Sequence, residues 1–494
     1  MSYEWIEQWS TQLGKLDYSA GTRLKSTLER IEAGDDHDYR TPFGDGRPRS
    51  DLLSELKSFI GEASWEELAS IDLRESAKVG PISIMLPYSK QVELVRAYMH
   101  QTFNPDESAL VAATNIVKSL IPMGSLRAAE FRTALGLMPR DTSLGLPRVT
   151  RDRRYAPEYL HRAISAVSPQ DIYPAIKYWR GAADGPGKTK QRVIAGMDHA
   201  ETILGATILY PVLDALKHKP GFSAWLGDDF VHEPITQILK QASGRKIYSM
   251  DYSGYDASLH YRLLGCADSV LMYWFHSQWT PRIVLLAEIA NTIPLVVPYT
   301  LEWLGRNGGM PSGSVLTNLR DTIVNLIAGY YIGMRARCPL EKFEVLGDDS
   351  VFLFRDEINP EDIEAYAAEL GLKSNPEKQW VSTTSAHYLQ RWHSLEYLSN
   401  GIAYGVRSPY RAMSGITGYE RLKHPWNGAM DSMRFMMQFY QLRYHPHFNK
   451  LIKFWWHNDD KVRSTTLEDL FTEAGGDKVI QWAIGSAGFS LAPS

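Results

Sequence analysis

The sequence predicts an α+β fold, with many helices packed around a small number of short strands. Three observations carry that expectation. Apolar residues recur at helical spacing over much of the chain, including 108–120, 126–135, 281–293 and 312–334. Strand patterns are few: 246–251 (KIYSMD) alternates apolar and polar, and 343–354 reads as two apolar strands about a Gly-Asp-Asp-Ser turn. Those strands lie scattered among helices instead of alternating with them in βαβ units, which argues against a wound parallel sheet.

Length and composition narrow the class. A chain of 494 residues exceeds one hydrophobic core and implies two to four subdomains. Its 44% hydrophobic and 22% charged content excludes disordered, coiled-coil and collagen-like classes. Two cysteines, Cys266 and Cys338, are too few for a four-thiolate zinc site or a disulfide framework and point to a reducing compartment. The first ten residues, MSYEWIEQWS, lack the basic start and apolar run of a signal peptide, and the stretch 323–334 falls short of the roughly 20 residues that span a bilayer. A soluble intracellular protein is expected.

The net charge of −4 gives no general affinity for nucleic acid. Local fields differ. Between Arg148 and Arg192 ten basic residues face four acidic ones, with Tyr155, Tyr159, Tyr173, Tyr178 and Trp179 interleaved. Basic plus aromatic composition suits single-stranded nucleic acid or a triphosphate, and equally an arginine-rich solvated surface.

In chain order, residues 1–75 read as amphipathic helices at 51–60 and 64–73 around a polar turn-rich stretch, 34–48. The segment 141–147 (DTSLGLP) is loop chemistry. Residues 201–218 read as a helix interrupted at Pro211. A helix starts near Ala257, another spans 361–370, and the last hundred residues are mostly helical.

Four constellations carry chemistry. Gly347-Asp348-Asp349-Ser350 exposes two carboxylates at a tight turn, a fit for Mg²⁺, which takes hard oxygens and leaves room for substrate phosphates. The triplet alone is weak, since Gly34-Asp35-Asp36 and Gly227-Asp228-Asp229 repeat it and turns favour these residues anyway. In Asp251-Tyr252-Ser253-Gly254-Tyr255-Asp256 the Ser-Gly break lets a strand end and a helix start aim two carboxylates at one cavity, or leaves Asp256 as a helix cap. Gly308 to Asn318 is a Gly-rich loop, with Ser312 and Gly313, entering a helix on which Thr317, Asp321 and Asn325 lie on or near one face. Finally, Lys188, Lys190 and Arg192 alternate on an extended chain as a comb for phosphates; the glycines there do not have P-loop spacing.

The order of these pieces (188–194, 251–259, 310–318, 346–350) resembles the motif series of viral RNA-dependent RNA polymerases, over about half the chain. It is most similar to the picobirnavirus and partitivirus enzymes of double-stranded RNA viruses. Thr142, Ser143, Gly145 and Pro147 resemble the family's template-channel loop, 372–378 its lysine motif, and Tyr388 to Trp392, with Arg391, its primer-grip hairpin.

The resemblance implies a closed right hand of fingers, palm and thumb, with a small antiparallel palm sheet. Residues 1–75 would be an N-terminal extension that matches nothing assignable. Fingers would occupy 76–245 and 263–309, palm 246–262 and 310–395, and thumb with tail 396–494. It implies RNA-templated synthesis by nucleotidyl transfer, with two Mg²⁺ ions (Mn²⁺ substituting) on Asp251 and Asp348, Asp349 a weaker ligand and the Tyr252 carbonyl an extra one. Lys188, Lys190 and Arg192 would hold the triphosphate, and Ser312 and Gly313 would sit beside the nucleotide. Lys378 would protonate pyrophosphate, with Lys373 its competitor. RNA, NTPs and a viral capsid protein would be the partners, without a membrane, in the virion interior and the host cytoplasm. A reverse transcriptase and a silent RNA-binding scaffold are the alternatives.

Asp256 would read the ribose 2′-hydroxyl. Asp321, where many relatives have Asn, poses a conflict: two ionised carboxylates in contact repel, so one holds a proton or Asp321 turns away. In the second case Thr317, Asn318 or Asn325 would supply the donor. The uncharged terminus Gly485 to Ser494 is expected to lie along or across a channel, the alternative being a frayed end.

Overall fold

The computed structural model describes residues 16–139, 142–374, 379–420 and 428–458. Lys378 and the Gly485–Ser494 terminus lie outside the described residues.

The α+β expectation holds, with helices dominating and, among the described residues, ten strands in three small sheets. The first sheet has the order β2-β1-β4-β5. Its β1 (Ala175–Ala183) and β2 (Thr189–Gly196) form a long antiparallel hairpin, and β4 (Leu295–Val297) runs parallel to β1 and pairs with β5 (Thr300–Glu302). The second sheet, β6-β7-β3-β8, is wholly antiparallel. It comprises β3 (Ile247–Met250), β6 (Leu340–Leu346), β7 (Asp349–Phe354) and β8 (Trp380–Ser382). A final hairpin joins β9 (Ser385–Tyr388) to β10 (Arg391–Ser394).

The central sheet is covered on both faces, and the period of two in its strands says by what. Ile247, Val351 and Leu353 face the helix His232–Ala242, packing on Ile235, Ile238 and Leu239. Tyr248, Phe352 and Phe354 point the other way, into the core shared with Ile323, Val324, Ile327 and Tyr331 of the helix Thr317–Arg335. That sandwich presents one end of the sheet, the ends of β3 and of the β6–β7 turn, to a cleft.

Two helix boundaries differ from the sequence reading. The helix His199–Leu216 runs unbroken through Pro211. Proline leaves the carbonyl four residues earlier without its helical partner; here the Thr207 carbonyl accepts the Ala129 N–H at 2.8 Å instead. The long helix begins at Thr317 and not at Ser312, because the five residues before it close turns of their own, Ser314 N–H to Pro311 O at 2.9 Å and Thr317 N–H to Ser314 O at 3.1 Å.

The unassigned N-terminal residues bind the molecule together. The helix Tyr18–Ala33 sets Leu24 and Leu28 against Leu146, Ile176 and Val296 beside the first sheet. The helix Arg49–Ile60 sets Leu52, Leu56 and Ile60 against Met413, Ile416, Leu442 and Trp455 of the C-terminal helices. The loop between β1 and β2 also reaches this region: the Gly185 N–H donates to Lys78 O at 3.2 Å, and the Gly80 N–H donates to Ser414 Oγ at 3.1 Å. The hand is closed.

Candidate active site

Strand register builds the carboxylate cluster. Met250 pairs with Ser350 in the β3–β7 ladder, so the next residue along, Asp251, falls opposite Asp349. In the β6–β7 hairpin Leu346 pairs with Asp349, leaving Gly347 and Asp348 as a two-residue loop. Gly347 takes φ +59° at the first loop position, where a side chain would be strained. Asp348 therefore projects from the tip. It is solvent-accessible, yet protein surrounds it closely: burial, then the charges of Asp256 and Asp251, push its carboxyl above the usual range, while Arg192 opposes the rise. Asp349 is half-buried and sits within electrostatic reach of the Tyr388 ring. Tyr252 is buried and stacks on Tyr255 at 5.4 Å, so its side chain faces the core and only its main chain remains for a ligand role. Beside this strand end, the Ser253 N–H donates to Lys373 O at 2.8 Å, which brings the lysine-motif segment alongside Asp251.

The loop and helix that follow supply the polar pocket. Asp256 sits in the short helix Tyr255–Ser258, and the Ser312 hydroxyl donates to its Oδ2. Ser312 has one proton to give, so the Tyr98 hydroxyl, 3.2 Å from Ser312 Oγ, is the donor in that second bond. Asp321 does not turn away. Its carboxyl hydrogen-bonds with that of Asp256, and burial first, then the charges of Asp256 and Asp348, raise it well above the ordinary carboxylate range. Of the two, Asp321 is raised further, and the bond between them favours the proton on Asp321. Two of the substitute donors are committed elsewhere, Thr317 Oγ1 to Pro311 O at 3.1 Å and Asn325 Nδ2 to Gly347 O at 2.9 Å, while the Asn318 amide is oriented by Trp225 Nε1, which donates to its Oδ1 at 3.0 Å. Gly313, at φ +126°, packs so closely on the Ala195 carbonyl that a Cβ would collide.

The extended comb of cations is exposed as its alternation predicts, while several cations of the wider basic stretch are buried or paired. Lys188, Lys190 and Arg192 are exposed on one face of the β2 region, while Gln191 and Val193 are buried on the other. Arg192 is near enough to lower both Asp256 and Asp348. Lys177, counted with the basic residues, is fully buried on Gln91 Oε1 at 2.8 Å, and desolvation pushes its ammonium down to about 8. Arg162 is spent on Asp198 at 3.0 Å, and Arg148 on Glu158 at 2.9 Å and on Asp17.

Of the remaining candidates, Thr142 is exposed and Ser143 and Pro147 half-buried, whereas Gly145 is buried against Met197. Arg391 is 3% exposed and paired with Asp228 at 2.5 Å, so the second repeat triplet is an ion-pair anchor. The bridge Trp392–Val406 sets Arg391 opposite Arg407, with Arg391 Nη1 and Arg407 Nε buried and unpartnered. Sequence reasoning missed Tyr98 and Glu201, which reach the site only by tertiary packing, and Thr322, which lies next to Asp321 on the same helix.

Carboxylates that repel one another, a comb of cations within electrostatic reach and a polar pocket of Asp256, Ser312 and Asp321 beside them suit a polymerase of nucleotides. The family model for viral RNA-dependent RNA polymerases matches residues 128–414, more than half of the chain, and the chain belongs to that family. It is 25% identical over 456 residues to a potential RNA-dependent RNA polymerase of human picobirnavirus (strain Human/Thailand/Hy005102/-), covering 86% of this chain and 82% of that one. It is 27% identical over 329 residues to the RNA-directed RNA polymerase of Cryptosporidium parvum virus 1 (strain KSU-1), 59% of this chain and 58% of the relative. The crystal structure of a human picobirnavirus RNA-dependent RNA polymerase superposes with a TM-score of 0.80 at 24% identity over 94% of both chains. An insertion-loop deletion mutant of that enzyme gives 0.82 at 24% identity, over 95% of this chain and 97% of the other. The resemblance read from the motifs and the right-hand fold it implied are both borne out, and the protein is an enzyme of RNA-templated RNA synthesis.

Proposed function

We propose that Asp251 and Asp348 hold two Mg²⁺ ions, with Mn²⁺ as a substitute, at the mouth of the central sheet. The observation that carries this is the register placing Asp251 opposite Asp349 and beside Asp348, with Arg192 within electrostatic reach. Viral polymerases of this family generally use divalent ions, and the donor set fits: hard carboxylate oxygens crowd until one resists ionisation. Among the described residues no three His, Cys, Asp or Glu side chains gather tightly enough to cage an ion. Mg²⁺ takes one or two carboxylates and completes its shell with substrate phosphates and water. Bound there, the ions would acidify the 3′-hydroxyl and stabilise the leaving pyrophosphate.

The chain's own residues do the rest. Lys188 and Lys190 meet the triphosphate as point charges and Arg192 as a bidentate fork. Asp256 accepts the ribose 2′-hydroxyl, while Ser312 and protonated Asp321 keep its other lone pairs occupied. Thr142, Ser143 and Pro147 line the template path. Arg391, buried against Asp228, braces the β9–β10 hairpin from within and does not itself reach the RNA. Lys378 gives pyrophosphate its proton, with Lys373 as the alternative donor. Fingers (76–245, 263–309), palm (246–262, 310–395) and thumb (396–494) divide the work. The capsid protein is the partner, and synthesis takes place inside the particle and in the host cytoplasm. No helix among the described residues is long and apolar enough to cross a membrane.

The test is direct. Protein, RNA template, four NTPs and Mg²⁺ should yield labelled RNA, and dNTPs or an excess of chelator should not. Equal incorporation of dNTPs would favour reverse transcription and overturn the ribose reading.

A further inference from the structure

The loop bearing Ser312 is held from behind by a carboxylate that lies outside the reacting groups. Glu201 stands in the first turn of the helix His199–Leu216 and is 1% exposed. A glutamate three residues past the N-cap commonly reaches back to the cap's own N–H. Here Oε1 accepts the Ser314 hydroxyl at 2.6 Å and Oε2 the Thr202 hydroxyl at 3.4 Å. Ser314 is the pivot of its turn: Oγ also accepts the Leu316 N–H at 3.3 Å, and its main chain bonds both Pro311 and Thr317. At the other end of the same tripeptide, the Ala195 N–H donates to Ser312 O at 2.7 Å. Ala195 and Glu201 thus grip Ser312-Gly313-Ser314 at both ends, and both follow closely on Arg192 in sequence.

Burying an acid here has a cost. Desolvation first, and the neighbouring Asp198 charge as well, push the Glu201 carboxyl up to about 7. Asp198 has Arg162 as its cation; the groups bonded to Glu201 are neutral hydroxyls. An apolar residue would satisfy the core more cheaply, so the acceptor it supplies to Ser314 is the feature that needs a carboxyl or amide there.

We propose that Glu201 is a positioning residue for sugar selection. Through Ser314 it fixes the loop backbone so that the Ser312 hydroxyl is delivered to Asp256. The proposal rests on the reading of Asp256 as the group that meets the ribose. Without the Glu201 bond the Ser314 end of the loop can turn about Gly313, which has no Cβ to restrict its backbone. Ser312 then leaves Asp256, and the pocket no longer penalises a missing 2′-hydroxyl.

The experiment measures kcat and KM for single additions of GTP and dGTP by the full chain in the parent, Glu201→Ala, Glu201→Gln, Ser314→Ala, the Glu201→Ala/Ser314→Ala double variant and Asp256→Ala. Glu201→Ala and Ser314→Ala should each lower the GTP/dGTP specificity ratio about tenfold, chiefly through the KM for GTP. The double variant should be no worse than either single one, since both remove one interaction. Glu201→Gln keeps an oxygen for Ser314 and should hold the parent ratio, which a loss of general stability would not produce. If Glu201→Ala and Ser314→Ala discriminate like the parent while Asp256→Ala does not, the positioning role is wrong and the ribose reading stands. If Asp256→Ala also discriminates like the parent, the ribose reading falls and takes this proposal with it. Should Glu201→Ala fail to fold, Ser314→Ala, which removes only a hydroxyl, decides alone.

Discussion

Asn325 and Gly347 are joined by a hydrogen bond of 2.9 Å from side-chain amide to main-chain carbonyl, and that bond fixes where Asp348 stands. The same side chain accepts the Ser350 hydroxyl through Oδ1 at 3.2 Å, and Thr322 Oγ1 takes the Gly347 N–H at 2.8 Å. Both polar atoms of the glycine peptide are thus held by the helix Thr317–Arg335. Asn325→Ala leaves buried partners unsatisfied, at a cost of about 1–3 kcal/mol. The expected outcome is a loss of roughly tenfold or more in kcat with RNA affinity unchanged, read by single-turnover extension and filter binding. A normal kcat would mean that the turn holds its shape unaided.

Asp348→Ala and Asp251→Ala should each abolish synthesis while template binding persists, because these groups serve the cation and not the RNA. Asp35→Ala should leave activity close to the parent's. Asp228→Ala is different, although its triplet looks the same in sequence. It strands the buried Arg391 guanidinium, and breaking a buried pair from one side is expensive, on the order of 3–5 kcal/mol; with Asp228 44% exposed the loss should be nearer 1–2 kcal/mol. A thermal melt separates these cases.

Asp321→Asn should keep the preference for NTPs, since an amide donates to Asp256 permanently where the acid donates only while protonated. Asp256→Ala should narrow that preference. Competition of GTP with dGTP on one template compares the two variants. If selectivity is lost in Asp321→Asn and kept in Asp256→Ala, the roles assigned to the pair are reversed.

Glu344 offers a prediction about pH. Burial raises its carboxyl from an ordinary 4.5 to about 7, although Ser223 donates to Oε2 through its N–H at 3.2 Å and its hydroxyl at 2.7 Å. The folded chain then binds this proton more tightly than the unfolded chain. The corresponding stability is complete below about pH 4.5 and is lost as pH climbs towards 7. Glu344→Gln should melt like the parent near pH 5 and higher than the parent at pH 8, by on the order of 1–2 kcal/mol. Superimposable melting curves at pH 8 would contradict it.

The sequence displayed the chemistry better than its supports. Asp251, Asp256 and Asp348 were legible because a short motif must place each carboxylate at a strand end, a helix start or a turn tip. The conflict between Asp321 and Asp256 was visible as well, but its resolution was not: whether the acid stays or turns depends on how deeply it is buried and on Ser312 being close enough to donate. Tyr98 and Glu201 escaped notice because they arrive from distant segments through packing. Pro211 misled for a related reason, since a proline in a helical pattern says nothing of whether a distant N–H, here that of Ala129, will take up the orphaned carbonyl. Composition misled between Arg148 and Arg192, where a count of cations cannot tell those that face solvent from Lys177 on Gln91 or Arg162 on Asp198.

The N-terminal helices make the hand a ring. Leu24 and Leu28 are seated beside the first sheet, and Leu52 and Leu56 among the C-terminal helices, so one continuous stretch of chain fastens both walls of the cleft. Prising the walls apart would expose both apolar seams at once, so a strand between them comes and goes along its own length and not sideways. The expected consequence is processivity set by topology, with a template kept by enclosure and released at an end.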